Sequence, residues 1–290
     1  DVAGAAVMTT PNLSPAAFAN RAQTIAAFPQ PIRIDGRSGR FYDVAGVGTL
    51  PSVTHILSVV AKPALINWAA NQERAACTDA AADLYLDLCK TPPMSRASFL
   101  ATLSGRIGKQ KAHRKELDKA GEIGSQIHGL IEWNLRQQLG QKVPPEPKVV
   151  DDAQWAFMSF QDWANTVSLK PIYIEQTVFS KTHGYAGTMD LLAEVNGVPT
   201  LVDFKSGKAV YPEAHLQSAA YRVALAEMGH AAAGAGLIVR LPKVYTDPAF
   251  EAAPSPPAAE LLPTFLAVLE VWKWWWKSEE EYRARKSTVA

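Results

Sequence analysis

Residues 187–208 read GTMDLLAEVNGVPTLVDFKSGK, two apolar stretches joined by Asn196 and Gly197. Asn-Gly between apolar stretches is a strong signal for a β-hairpin with a two-residue turn, because both residues tolerate positive φ. Each stretch carries one aspartate, Asp190 before the turn and Asp203 after it. The segment therefore predicts a hairpin of two largely buried strands, each containing an acidic residue.

A two-residue turn also fixes which residues of the hairpin face each other. Counting outward from Val195 and Val198 places Asp190 opposite Asp203, and Lys205 lies two residues further along the same face. Two carboxylates directly opposed in a sheet repel each other. A divalent cation between them would remove that repulsion, because hard cations prefer carboxylate oxygens. The hairpin therefore predicts a metal site, with Lys205 as a further positive charge.

Two other interpretations of this segment are weaker. The first is a solvated, randomly charged hairpin face, but the apolar residues around both aspartates leave little of the hairpin to solvent. The second is a phosphate-binding loop that ends in Ser206-Gly207-Lys208. That motif requires a glycine where Val202 stands and a serine or threonine where Ala209 stands.

The composition limits the class of protein. The 290 residues are 48% hydrophobic, and the formal net charge is +1. Such a chain can form a sizeable core, and any nucleic-acid surface must be local rather than a global basic field. Cys77 and Cys89 are too few for a disulfide framework and form no Cys-x-x-Cys pair. We find neither a secretory leader nor an apolar run of about 18 residues, so we expect a cytoplasmic protein that does not enter a membrane.

Hydrophobic periodicity divides the chain into a helical N-terminal half and a β-rich C-terminal half. It predicts a β-hairpin at 39–53, strands at 172–180, 186–195, 198–206 and 234–242, a helix at 213–228 and a loop at 245–260. The expected fold class is α/β with a helical N-terminal elaboration. The expected divisions are an extension at 1–40 and a single domain at 41–290, comprising a helical part (51–166), a sheet core (171–245) and a C-terminal helix (259–284).

The C-terminal helix contains the sequence VWKWWWK. At helical spacing this helix carries Leu261, Phe265, Val268, Trp272 and Trp275, which predicts that most of this face is buried and that one tryptophan is exposed. The alternative interpretation is that nucleic-acid bases stack on an exposed tryptophan of this helix.

Further motifs occur in the order typical of one nuclease family. Residues 124–128 read GSQIH, residues 217–221 read QSAAY, and Glu175 lies on the predicted strand before Asp190. Together with Asp190 and the D-x-K triplet at 203–205, these motifs resemble the PD-(D/E)XK nuclease superfamily, and within it the RecB-like exonuclease branch of phage and bacteria. The resemblance covers residues 41–285 and implies the nuclease core of that superfamily, a central mixed β-sheet flanked by helices.

The resemblance implies a divalent-metal site. Asp190, Asp203, His128 and the backbone carbonyl of Phe204 would bind one or two Mg²⁺ or Mn²⁺ ions, and the imidazole favours Mn²⁺. A satisfied core histidine is the alternative interpretation of His128. Some relatives carry an iron–sulfur cluster held by four cysteines, and two cysteines cannot hold one.

The resemblance also implies roles around the metal. Lys205 would orient or help deprotonate the attacking water, and Glu175 would bind a second metal or its water. Gln217 and Tyr221 share one helix face and would line the site. A basic segment at 106–121 is explained either by phosphate contacts or by a solvated helix face. The expected DNA contacts are Lys181, Lys208, Arg114 and Lys115.

The expected function is a divalent-metal-dependent DNA exonuclease that hydrolyses phosphodiester bonds from DNA ends or single strands in phage or bacterial recombination or repair. The alternatives are a structure-specific or restriction-type endonuclease, and an inactive nuclease-fold module that only binds DNA. The expected partner is single-stranded DNA or a duplex end, joined by a recombination protein or a helicase.

Overall fold

The computed structural model describes residues 30–36, 39–90, 93–229 and 234–289. Most of the predicted N-terminal extension therefore lies outside the described residues. The strands of the described residues form two sheets. The smaller sheet contains β1 (Ile32–Gly36), β2 (Gly39–Val44) and β3 (Gly48–Pro51), and the larger contains β4 (Leu169–Ser180), β5 (Tyr185–Val195), β6 (Val198–Ser206), β7 (Ala235–Leu241) and β8 (Glu251–Ser255).

Helices fill most of the remaining described chain, and they confirm the predicted helical N-terminal part. They are α1 (Val53–Leu57), α2 (Pro63–Leu88), α3 (Arg96–Ile107), α4 (Ala112–Gln138), α5 (Asp151–Asn165), α6 (Pro212–Glu227) and α7 (Ala258–Val289). Within the described ranges, none of them is both long enough and apolar enough to cross a membrane.

The larger sheet is mixed, as the expected fold class requires. Its order is β4-β5-β6-β7-β8, with β6 and β7 parallel and the other neighbours antiparallel. Parallel neighbours need a long crossover connection, and α6 supplies it between β6 and β7. The fold is therefore an α/β core with a mixed sheet, preceded by helices.

Strands β5 and β6 are apolar on both faces because helices cover both sides of the larger sheet. Leu191 and Val202 pack with residues of α4 and α5 on one face. Leu192 and Leu201 pack with residues of α6 and α7 on the other face. Successive side chains of each strand therefore point alternately into these two apolar cores.

The smaller sheet packs against the larger one through the same core as α6 and α7. Tyr42 and Val44 of β2 are buried in that core, and a parallel bridge joins Ser52 to Ala186. The hairpin of β1 and β2 spans residue 40, where the extension was expected to end. Its basic residues consequently reach the cleft described below.

One expectation about the C-terminal part is wrong. The predicted loop at 245–260 contains β8, which pairs with β7 as the edge of the larger sheet. Pro254 obscured this strand, and proline is tolerated at a sheet edge. In α7, Phe265 and Trp272 are buried and Trp275 is 55% exposed, which agrees with the expected mostly buried face with one exposed tryptophan.

Candidate active site

The hairpin of β5 and β6 has the predicted register. Val195 pairs with Val198, and the ladder continues to Leu191 and Val202, where it ends. Asn196 and Gly197 both have positive φ, 52° and 81°, as the turn requires. In this register Asp190 and Asp203 would form the next pair, but they lie one step beyond the last hydrogen-bonded pair, so the ladder itself does not include them.

Where the backbone ladder between β5 and β6 ends, the side chain of Asp190 forms the next hydrogen bond between the two strands. Its Oδ2 accepts a hydrogen bond of 2.7 Å from the backbone N–H of Phe204. Beyond this point β5 pairs only with β4, and β6 pairs only with β7. The two strands separate at the acidic residues, and the separation opens room for side chains and ligands. The Phe204 ring itself packs between Phe160 and Trp163, at 5.4 and 5.9 Å.

Glu175 lies on β4 beside Asp190, as predicted. Its neighbours Ile174 and Gln176 pair with Leu191 and Met189, the residues on either side of Asp190. Glu175 has φ of 50°, in the left-handed region, and forms no ladder pair of its own. A left-handed backbone costs a non-glycine residue about 1–2 kcal/mol. The surrounding structure therefore holds this carboxylate at the cleft at an energetic cost.

Helix α4 brings His128 to these two carboxylates. His128 Nδ1 lies 3.5 Å from Asp190 Oδ1 and 3.9 Å from Glu175 Oε1. One turn earlier, a Cβ built on Gly124 would lie 3.2 Å from Ser206 Oγ, closer than most real contacts. The absence of a side chain at Gly124 lets α4 approach β6, which accounts for the spacing of the GSQIH motif.

His128, Glu175 and Asp190 form a group that could hold a metal ion. Their ligand atoms all lie within 4.8 Å of one another, and no other such group occurs in the described part of the chain. One imidazole and two partly buried carboxylates are a suitable donor set for a divalent cation, and imidazole favours Mn²⁺ over Mg²⁺. We call these residues the metal trio. Asp203, predicted as a fourth ligand, is not a member.

Asp203 is instead engaged by Lys205 and Gln217. The Lys205 ammonium lies 3.0 Å from Oδ1 and 2.7 Å from Oδ2 of Asp203, and it donates a hydrogen bond of 3.2 Å to Gln217 Oε1. Gln217 Nε2 donates to Asp203 Oδ1 at 3.1 Å and to the Tyr221 hydroxyl at 3.4 Å. Gln217 and Tyr221 therefore line the site from one face of α6, as predicted, and they hold Lys205 and Asp203 in place.

The charges of the three residues in the metal trio shift one another's pKa values. Burial alone would lower the pKa of His128, but the carboxylates of Asp190 and Glu175 raise it to about 10. Burial would raise the pKa of Asp190, yet His128, Lys205 and the Phe204 N–H hold it below the usual value. Burial raises the pKa of Glu175, partly offset by His128. Without a metal, a proton on His128 supplies the positive charge that this site requires.

The pKa values of Asp203 and Lys205 are both raised, but for different reasons. Burial raises the pKa of Asp203 to about 6, opposed by Lys205 and reinforced by Asp190. Burial would lower the pKa of Lys205, but Asp203 and Asp190 raise it above the usual value. Burial raises the pKa of Tyr221 well above that of free tyrosine. Lys205 is therefore a cation, and Tyr221 a neutral hydrogen-bonding group, at neutral pH.

The site opens into a cleft of ≈ 480 Å³, which contains basic residues that the sequence interpretation missed. Arg33 of β1 and Arg40 of β2 line it, and the Nε atoms of both lie near Asp35, at 2.6 and 2.9 Å. In the same cleft, the Tyr42 hydroxyl lies 2.9 Å from Thr188 Oγ1. Alternation in residues 32–44 could have placed both arginines on one face, but nothing local connects them to Asp190.

The four predicted DNA contacts lie outside the lining of this cleft. Lys181 stands in the turn after β4, beside a separate cavity that also contains Glu227. Lys208 is exposed just beyond the end of β6. Arg114 and Lys115 are exposed near the start of α4, and Arg114 forms a 3.6 Å ion pair with Asp118. Their contact with DNA stays a prediction.

Comparisons with known proteins point to one family. Residues 96–272, more than half of the chain, match the sequence model of the PD-(D/E)XK nuclease superfamily. No curated protein matches the chain. Among solved structures, the chain is similar to an alkaline exonuclease from Laribacter hongkongensis, with 11% sequence identity and a TM-score of 0.35. That alignment covers 59% of this chain and 92% of the other.

Proposed function

Because the chain belongs to the PD-(D/E)XK nuclease superfamily, we propose that it is a divalent-metal-dependent deoxyribonuclease that hydrolyses phosphodiester bonds from DNA ends. The observation that carries this proposal is the metal trio beside the Asp203–Lys205 pair in a single cleft. The preference for ends rests on the sequence motifs at 124–128 and 217–221. A role in recombination or repair in phage or bacteria rests on the same resemblance.

The metal trio would hold a Mg²⁺ or Mn²⁺ ion, with Asp203 and the Phe204 carbonyl as further oxygen donors nearby. When bound, such an ion polarises a phosphoryl oxygen and lowers the pKa of a water. The protein's own contribution is to fix the donors. The Phe204 N–H orients the Asp190 carboxylate, and the β4 backbone fixes Glu175.

Lys205 would stabilise negative charge as it develops on the phosphoryl group. Its pKa is raised by Asp203 and Asp190, so at neutral pH it is an ammonium and cannot act as the base. Gln217 and Asp203 fix the position of its Nζ. A preorganised cation in a buried site favours the transition state more strongly than a mobile one, because no reorganisation is needed.

Arg33 and Arg40 would bind phosphates of the DNA backbone at the mouth of the cleft. Guanidinium groups bind phosphate through two parallel hydrogen bonds. Asp35 lies within hydrogen-bond distance of both side chains and presents them together. These contacts would orient the strand without reading its sequence.

The test is the cleavage of end-labelled linear DNA with Mg²⁺ or Mn²⁺. We expect Lys205→Ala and Asp190→Asn to lose activity by at least about 10²-fold, the cost of removing one preorganised group. Lys170→Ala, an exposed lysine of β4 that pairs with Glu194 and lies outside the lining of the cleft, is the matched control and should stay within a few-fold of the wild type. Cleavage that survives both site substitutions would contradict the proposed site.

Circular single-stranded DNA separates the proposed exonuclease from an endonuclease. An enzyme that needs ends leaves closed circles intact, whereas equal cutting of circles and linear strands would support the endonuclease. An inactive DNA-binding module would show neither cleavage nor heat of Mn²⁺ binding in calorimetry. Labels placed separately at the 5′ and 3′ ends then give the polarity.

A further inference from the structure

Helix α7 presents a strip of apolar side chains to solvent. Val271, Trp274 and Trp275 are 53%, 66% and 55% exposed, and the rings of the two tryptophans are 6.2 Å apart. Residues three and four apart are neighbours on a helix surface. Contiguous exposed apolar surface of this kind marks a place where another molecule binds.

Two further tryptophans of α7, Trp272 and Trp276, pack against aromatic side chains of α1 and β2. Trp272 and Trp276 stack with ring centroids 5.5 Å apart, and His55 of α1 contacts both rings edge-on, at 5.1 and 5.3 Å. Phe41 of β2 adds a further edge contact to Trp276. The Trp276 indole N–H donates to Glu280 at 3.0 Å. Trp272 and Trp276 therefore anchor this part of α7 against α1 and β2.

Three clefts connect this strip to the active site. The active-site cleft shares Thr54, Lys205 and Gln217 with a second cleft of ≈ 740 Å³. The second cleft shares Ser58 and Val59, at the end of α1, with a third cleft of ≈ 700 Å³. The third cleft is lined by the tryptophans of α7. We call the second and third clefts together the aromatic groove.

The aromatic groove offers rings along its length. Tyr211, in the second cleft, is 54% exposed, and Trp274 and Trp275 line the third. Every nucleobase has a π face, so aromatic rings bind single strands with little sequence preference. A duplex keeps its bases stacked on each other, and they are then not free to stack on protein rings.

We propose that the aromatic groove binds single-stranded DNA that adjoins the scissile bond, with bases stacked on Trp274, Trp275 and Tyr211. This inference rests on the proposed function, since it extends the path of the same substrate strand. Continuity with the active-site cleft favours a nucleic-acid strand over a protein as the occupant.

The charges around the groove fix the orientation of the strand. Glu279 and Glu280 line its wall, and carboxylates repel phosphates but accept hydrogen bonds from the N–H groups of bases, including N3–H of thymine. Lys273 and Lys277 are exposed on the neighbouring face of α7. Bases therefore face the wall and the rings, and phosphates face solvent and these lysines.

The first experiment measures binding of a fluorescent oligothymidylate of about 20 nucleotides to the full chain in EDTA, where cleavage cannot occur. We expect Trp275→Ala and Trp274→Ala each to weaken binding about ten-fold, the loss of one stacked base. Trp155→Ala is the matched control, because Trp155 is 40% exposed on α5 and lines none of the three clefts. Equal affinity of the α7 variants and this control would overturn the inference.

The second experiment separates this inference from the proposed function. For cleavage of an oligothymidylate of about four nucleotides, which leaves little single strand beyond the active site to stack on these rings, Trp275→Ala should match the wild type. For the longer strand, the KM should rise about ten-fold with kcat unchanged. A wild type without any nuclease activity would refute the proposed function, while the binding result in EDTA would still decide the inference. Unchanged DNA affinity with an altered sedimentation mass of Trp275→Ala would assign the strip to self-association and overturn the inference.

Discussion

Glu175 shows how a single backbone conformation serves the site at the expense of stability. A left-handed φ of 50° at a non-glycine residue in a strand is unusual, and it falls at the residue whose carboxylate meets His128. Strained residues of this kind concentrate where function requires a fixed geometry. The sequence located Glu175 on the correct strand but could not predict its φ, because the packing of α4 and β5 imposes it.

We expect glycine to be the most stable replacement at position 175. The free energy of unfolding of Glu175→Gly should be about 1 kcal/mol higher than that of Glu175→Ala, because glycine adopts positive φ without strain. Glu175→Gly should therefore unfold at a higher urea concentration. Both variants should lose activity, since both lack the carboxylate. Lys170 is the control, an exposed residue of the same strand, where alanine should be at least as stable as glycine. The same ranking at both positions would show that Glu175 carries no strain.

Asp203 should make the metal-free protein less stable above pH 6. Its folded pKa is raised to about 6 by burial, so its contribution to stability is greatest at low pH and is lost as the pH rises from about 4 through about 6. Asp203→Asn should therefore stabilise the protein in EDTA at pH 8 by up to about 3 kcal/mol, and by little at pH 4. Activity should be lost.

The measurement is urea unfolding of the wild type and Asp203→Asn at pH 4, 6 and 8. Lys205 keeps an acceptor in the asparagine carbonyl, so the comparison isolates the charge. A variant that is less stable than the wild type at pH 8 would contradict the assignment, because it would show that attraction to Lys205 exceeds the cost of burial.

For the secondary-structure elements, local sequence signals predicted most of the strands and helices of the fold. The turn at Asn196 and Gly197 fixed the register of β5 and β6 because its chemistry is contained in two residues. Strand β8 was missed because EAAPS has little intrinsic β-propensity and forms a strand only through pairing with β7. Likewise Arg33 and Arg40 reach the cleft through packing of the smaller sheet on β5, a contact that no local pattern encodes.

Two glycines of α4 allow the docking of this helix to be tested. Gly129→Ala meets nothing within 4 Å, so it should stabilise the protein by up to about 1 kcal/mol through helix propensity. Gly124→Ala has the same propensity gain but crowds Ser206 Oγ. It should be about 1–2 kcal/mol less stable than Gly129→Ala, and it should reduce activity by displacing His128.

Ser206→Ala supplies the matched background for this comparison. Removing the hydroxyl should relieve the contact, so that Gly124→Ala and Gly129→Ala become equally stable in a double-mutant cycle. If the two glycine variants still differ by about 1 kcal/mol in the Ser206→Ala background, then Gly124 does not act through contact with β6.

The metal trio joins three separate elements of the molecule, α4, β4 and β5. An unfolded chain holds these residues far apart, so a metal binds essentially the native state and raises the free energy of unfolding. At about one hundred times the dissociation constant the gain is about 2.7 kcal/mol. For a chain of this size that corresponds to a rise in Tm of about 5–10 °C.

We expect Mn²⁺ to raise the Tm of the wild type and of His113→Ala, but not of His128→Ala. Both histidines lie on α4, and His113 pairs with Glu73 away from the cleft. The proton on His128 sets the pH dependence. Its pKa is raised to about 10, so its stabilising effect is complete below about pH 6.5 and is lost as the pH rises toward 10. Mn²⁺ must displace that proton, so the rise in Tm should be larger at pH 9 than at pH 7. A rise in Tm that persists in His128→Ala, or that shrinks with pH, would place the metal elsewhere.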